Sequence, residues 1–283
     1  MTAVSAPTRH RRVAGQGAAH LALAGWAALA AFPVAWSVVG SLKSDAEIFA
    51  SPWSLPAAPR WDNYVRAWRE AGIGRFFANT VVVVGGALAL TLALGAMAAY
   101  VLARFSFRLN RTVRTVFLAG MVFPVFLAIV PLFVVVDALG LLGTQAGLIL
   151  VLAAYGLPFT VFFLTGFFST LPGSVAEAAL LDGCGHAGAF FRVMLPMALP
   201  GLASVAVFDF LGLWNGYLLP LVLNPDPERY VLAQGLASLA VTQGYAADYS
   251  ALFAGLVLTM APVLVVYVLL HRRLRGLSLG ALR

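Results

Sequence analysis

The side chains in this sequence that could do chemistry are few and fall in two places. Asp209 stands in an otherwise apolar stretch, six residues before Asn215. A carboxylate in such surroundings is costly and normally faces a cavity or a partner. There it would accept hydrogen bonds from the hydroxyls of a ligand, or it would bond to a neighbouring helix or subunit. The second place is residues 171–202, LPGSVAEAALLDGCGHAGAFFRVMLPMALPGL, a polar-interrupted segment between two long apolar runs. Pro172 suits the start of a helix, and Ser174 with Glu177 has the spacing of a capping box. Gly183 is expected to end that helix in a left-handed turn, with Asp182 capping a second helix from about His186 to Leu195. Pro196 and Pro200 close the segment. The expected shape is helix, sharp bend, helix.

Other chemistries lack their residues. The one cysteine, Cys184, excludes an internal disulfide and a cysteine-rich metal site, and His10, His20, His186 and His271 have no ligand spacing. An intramembrane enzyme would need a nucleophile and base, or paired acids, within the apolar runs, and no histidine is placed beside an acid for that purpose. A phosphate-binding G-x-x-x-x-G-K-[ST] loop is missing: Lys43 is the sole lysine and follows Gly40-Ser41-Leu42. Nucleotide cannot be held through a P-loop on this chain.

The elements that must position Asp209 and the 171–202 segment are membrane helices. Of 283 residues, 61% are hydrophobic and only 10% charged, which excludes an ordinary soluble domain. Runs of about 20 apolar residues, long enough to cross a bilayer, predict six spans. They lie at about 21–40, 80–103, 116–136, 147–168, 200–223 and 250–270, and the whole chain forms one transmembrane domain. The first is read as an uncleaved span, being too long for a signal peptide and followed by no clear cleavage site. Pro124 and Pro131 should bend the third. Ala87, Thr91, Gly95, Ala99 and Ala103 recur every four residues and give the second span a face on which another helix can pack closely. Residues 41–78 are aqueous, with helical character at 61–70, and 224–249 are a second aqueous loop.

The net charge of +7 invites a nucleic-acid reading, but the arginines cluster beside apolar runs, which is how membrane orientation is written. With the N-terminus inside, twelve of the 18 basic residues are cytoplasmic: Arg9, Arg11, Arg12, Arg104, Arg108, Arg111, Arg114, Arg192, Arg272, Arg273, Arg275 and Arg283. The short loop at 104–114 carries four arginines and that at 137–146 carries none. Both termini, and residues 170–199, are therefore expected on the cytoplasmic side.

Glu177-Ala178-Ala179, Asp182-Gly183 and, twelve residues after that glycine, Leu195-Pro196 resemble the signature loop of ABC-importer permeases, with Cys184 where that family usually has alanine. Further similarities lie at Ser41-Leu42-Lys43, Asn63-Tyr64, Ala99–Arg104 and Trp214-Asn215, where Gly216 replaces the acid or amide often found next. The tail at Gly280, Ala281 and Arg283 is similar to that of the second, six-span membrane subunit of maltose-type importers. The resemblance implies the type I importer permease fold, all-α, in a bacterial cytoplasmic membrane. It also implies a second permease subunit, two ATPase subunits that hold ATP and Mg, and an extracytoplasmic solute-binding protein delivering a sugar or sugar derivative. Residues 177–179, 182, 183, 195 and 196 would dock the ATPase, with Ala178 and Ala179 as a flat contact face and Glu177 pairing with a basic residue. The tail would reach the ATPase or anionic lipid, and Asp209, Trp214 and Asn215 would lie on the translocation path. The competing reading is a secondary transporter driven by an ion gradient. It predicts inverted repeats and several embedded charges, whereas one such charge, Asp209, and no convincing repeat are present.

Overall fold

The computed structural model describes residues 9–242 and 248–280, with side chains at 19–241 and 248–269. Helix α1 (Arg9–Gly40) leads to two short helices, α2 (Asp45–Ala50) and α3 (Asp62–Arg69), and then to the long α4 (Ile73–Arg104). The pair α5 (Asn110–Val122) and α6 (Val125–Ala138) precedes α7 (Gln145–Thr170). Next come α8 (Gly173–Leu181), α9 (His186–Ala189), a π-helical turn (Phe190–Met194), α10 (Leu195–Met197) and α11 (Leu199–Trp214). The chain continues through α12 (Leu218–Leu223), α13 (Leu232–Thr242) and α14 (Tyr249–Gly280). Among the described residues there is no strand.

Among the described residues four stretches are long and apolar enough to cross a bilayer: Ala19–Gly40, Ile73–Arg104, Gln145–Thr170 and Tyr249–Leu269. The expected third and fifth spans are not continuous helices. α5 and α6 meet at 105°, and the helix ending at Met197 meets α11 at 72°; six spans result when each bent pair is taken as one. At the first break Phe123 turns extended (φ −71°, ψ 120°) ahead of Pro124, the conformation that proline's ring imposes on its predecessor. Pro131, expected to bend the same span, lies inside α6 without ending it. α11 stops at Trp214 and helix resumes only at Leu218, so 200–223 is interrupted beside Asn215. The expected aqueous loop at 224–249 contains α13, whose Leu232 and Leu236 are buried against α4, with Gly235 under the Phe76 ring.

The small-residue face of α4 packs against α7 of the same chain. Ala87, Thr91, Gly95 and Ala99 are buried, and the contacts interdigitate. Gly95 lies under Thr160, Gly156 under Thr91 and Gly86 under Ile149. Thr91 also donates its hydroxyl to the Ala153 carbonyl oxygen (3.3 Å). Missing Cβ atoms let the two backbones close together, and dispersion replaces the weak drive for helix association in lipid.

One end of the bundle carries a hydrogen-bonded clamp that unites two short motifs about twenty residues apart. Asn63 Nδ2 donates to the carbonyl oxygens of Ser41 and Lys43 (both 2.8 Å), and the Tyr64 and Ser41 hydroxyls are 2.7 Å apart. Lys43 is only 1% exposed; its ammonium donates to Ser51 O (2.9 Å), Pro52 O (3.2 Å) and Ser54 Oγ (3.4 Å). Among the described residues no carboxylate lies within ion-pair distance of it. Lys43→Ala should therefore cost on the order of 2 kcal/mol locally, the range for hydrogen bonds to a charged donor. Limited proteolysis within 44–60 is expected to run at least tenfold faster, and unchanged cleavage would dismiss the clamp. Beside it, Ser44 and Glu47 form a complete capping box on α2. The Ser44 N–H first, then the Ala57 N–H and the Ser44 hydroxyl, hold the Glu47 carboxyl below its ordinary range. Its contribution is therefore present above the unfolded-state value and lost as pH falls through the lowered one.

The clamp also reaches the last helix. Arg66 pairs with Asp62 (2.7 Å) and with Asp248 (2.9 Å), and Ser250 N–H donates to Asp45 Oδ1 (2.8 Å). Arg75 pairs with Glu228, and Arg229 donates to Gly143 O (2.5 Å), placing 41–78, 137–146 and 224–231 at one end. The opposite end holds Arg104, Arg108, Arg111 and Arg114 with the 171–197 segment. There Arg114 and Asn110 donate to the Leu102 carbonyl oxygen and close the end of α4.

Candidate functional site

The 171–202 segment forms the expected elbow, with changes in its details. α8 runs from Gly173 to Leu181 and Gly183 takes φ +86°, the left-handed turn expected of it. The Ser174–Glu177 capping box does not form. Pro172 is the N-cap, so Ser174 already lies inside the helix, and no side chain caps it. Asp182 does not cap the second helix either: Gly185 occupies that position, while Asp182 is the C-cap of α8, its N–H donating to Ala178 O. The second helix extends to Met197 and contains the π turn at 190–194, so Pro196 falls within its end. Single π turns inside helices distort the stack locally and recur at functional sites.

Of the expected docking residues, Glu177, Ala178, Asp182 and Gly183 are exposed and bunched at the bend. Leu195 is half-buried and Pro196 exposed, a helix away. The anticipated flat alanine face is divided, because Ala179 is 8% exposed and packs inward. No hydrogen bond or ion pair to another described residue occupies the Glu177 carboxylate, nor does an acid pair with Arg192. Sequence reasoning missed Leu181. It is 89% exposed at the tip, immediately before Asp182-Gly183, and an apolar residue adjoining a bend signal was the clue.

Aromatic rings tie the elbow to the long helices. Tyr100 of α4 lies 5.6 Å from Phe168 of α7 and 5.0 Å from Phe190 of the π turn, centroid to centroid, and Phe105 lies 5.4 Å from His186. Phe168 and Met194 are fully buried, and Arg104 Nη2 donates to Leu171 O (2.6 Å). The elbow is thus welded to α4 and α7, and a push at its tip would move those helices as a body.

Deeper in the bundle, Thr160 of α7 donates its hydroxyl to Asp209 Oδ2 of α11 (2.6 Å). The carboxylate therefore holds a neighbouring helix, and it also lines a concavity of about 350 Å³ with Tyr155, Phe159, Phe208 and Tyr217. Trp214, expected on the path, is 4% exposed and packs between Phe77 and Phe210, its Nε1 donating to Thr259 O (3.2 Å). Asn215 is exposed at the break and donates to Leu211 O (2.9 Å). Gly280 ends α14, and Ala281 and Arg283 lie outside the described residues.

Residues 91–276, which contain the elbow and Asp209, match the family of binding-protein-dependent transport system inner membrane components. The chain belongs to this family. The permease is 53% identical over 265 residues to the diacetylchitobiose uptake system permease protein NgcG of Streptomyces coelicolor, covering 93% of this chain and 88% of that protein. It is 32% identical over 254 residues to the probable ABC transporter permease protein YurM of Bacillus subtilis, covering 89% and 84%. Its fold resembles a chain in the crystal structure of a bacterial ABC transporter involved in the import of the acidic polysaccharide alginate. That match has a TM-score of 0.82 at 23% identity and covers 95% of this chain and 99% of the other. The permease is thus an integral membrane component of an ABC importer, with the all-helical fold of such subunits.

Proposed function

We propose that this permease forms half of the path for an N-acetylated disaccharide of the diacetylchitobiose class, in a bacterial cytoplasmic membrane. The observation that carries the substrate class is the 53% identity, across nearly the whole chain, to a diacetylchitobiose uptake permease. The other half is a second permease subunit, and an extracytoplasmic solute-binding protein delivers the sugar. Two cytoplasmic ATPase subunits bind ATP and Mg and drive the cycle. Six spans cross the bilayer with both termini inside. The short loop at 104–114, with four arginines at the elbow end, against 137–146, with none at the other end, supports that orientation.

In this reading Glu177, Ala178, Leu181, Asp182 and Gly183 meet the ATPase, Leu195 and Pro196 fix the second arm of the elbow, and Gly280, Ala281 and Arg283 add a tail contact. Leu181 inserts as the apolar knob and Glu177 offers its carboxylate to a basic residue of the partner. Asp209 and Asn215 face the path, while Trp214 holds α11 against α14.

A deletion strain supplied with radiolabelled diacetylchitobiose tests the reading. Uptake is expected to fall to background and return with the wild-type gene, and an ATPase is expected to copurify with the tagged chain. Undiminished uptake would overturn the substrate, and a lone chain transporting without an ATPase would overturn the energy source.

A further inference from the structure

The concavity beside Asp209 is walled in part by aromatic rings. Tyr155 and Phe159 come from α7 and Phe208 from α11, with Tyr217 at the break after Trp214. Tyr155, Phe208 and Tyr217 keep 47%, 55% and 41% of their surface exposed. Phe159 and Phe208 meet edge to face, 6.0 Å apart at 73°, which fixes both planes. Thr160 occupies Oδ2 of Asp209, which leaves Oδ1 for a donor in the cavity. Gly212 lies one turn beyond Phe208 on the same helix and lines the same space; a Cβ there would meet nothing within 4 Å.

Resting on the transport reading above, we propose that this concavity is a solute subsite on this subunit, for one neutral pyranose ring of the disaccharide. The ring's apolar C–H face stacks on Tyr155 or Phe208, and a hydroxyl or amide N–H donates to Asp209 Oδ1. Few polar groups on mostly apolar walls are what fix a small ligand's orientation, and about 350 Å³ falls within the size range of such pockets. The break at 215–217 brings Gly216 and Tyr217 into the lining of the same space.

Gly212→Leu and Asp209→Asn test the proposal in the assembled transporter, reconstituted with its ATPase and binding protein. Leucine at 212 projects into open space, so it fills the cavity without disturbing helix packing. Asparagine at 209 keeps an oxygen for Thr160 and removes the charge. The probe is a panel of radiolabelled saccharides that includes diacetylchitobiose, and copurification of the ATPase is the folding control. Asp209→Asn is expected to lower the maximal uptake rate about tenfold, the loss for one hydrogen bond to a charged group, and Gly212→Leu to lower it at least as far by occupying the space. Tyr155→Ala is expected to fall similarly and Tyr155→Phe to retain most of the rate. Wild-type rates in the assembled variants would overturn the subsite while leaving the transport reading intact. A wild-type transporter that moves no saccharide of the panel would overturn that reading, and the subsite with it.

Discussion

Gly183→Val is expected to abolish uptake while the chain still accumulates in the membrane. Gly183 holds φ +86°, and a Cβ there would meet nothing within 4 Å, so the penalty is wholly one of backbone conformation. The left-handed region costs an ordinary residue on the order of 1–2 kcal/mol, and a β-branched one more. That is small against the stability of the bundle but comparable with what holds an exposed bend. The turn should therefore relax, and α8 would swing away with Glu177, Leu181 and Asp182. Gly183→Asn supplies the control, because asparagine tolerates the left-handed region. Uptake assays, with immunoblots of membranes and ATPase copurification, separate a broken coupling from a missing protein. Full uptake by the valine variant would refute the role of the bend.

Gly95→Leu should have the opposite signature, loss of the folded chain itself. A Cβ at Gly95 would lie 2.5 Å from Thr160 Cγ2, too close for any side chain without parting α4 from α7. Overpacking of a tight core costs about 1–3 kcal/mol for modest insertions and more where the backbone must move. Displacing Thr160 would also loosen its bond to Asp209. Gly85 sits on the exposed face of the same helix with nothing within 4 Å of an added Cβ, so Gly85→Leu is expected to behave as wild type. Thermal aggregation of the detergent-solubilised chain compares them. Equal midpoints for the two variants would contradict the packing scheme.

How much was legible depended on whether the cause was local. The four-residue spacing of Ala87, Thr91, Gly95 and Ala99 was readable because it is a property of one helix face, and α7 fills that face. Gly183 was readable because only glycine takes its conformation cheaply. The two S-x-x-E motifs show the limit. Ser44 and Glu47 close a box, but Ser174 and Glu177 do not, since Pro172 starts the helix before the serine. Asp182 adjoins the bend, and position alone could not tell the end of one helix from the start of the next. Pro124 and Pro131 looked equivalent, yet only Pro124 breaks its helix. The burial of Trp214 was not legible, because it depends in part on Phe77, a ring from another helix. Likewise the cavity beside Asp209 is lined by residues of α6, α7, α11, the break and α12, which no local pattern connects.

The clamp around Lys43 has a consequence for biogenesis. Asp45 and Arg66 find Ser250 and Asp248 only 205 and 182 positions later in the chain. A ribosome feeding this polypeptide into the membrane must deliver residues 41–78 long before their closing contacts exist. Until α14 is made, that segment lacks those two ties, so its closure waits on the last helix.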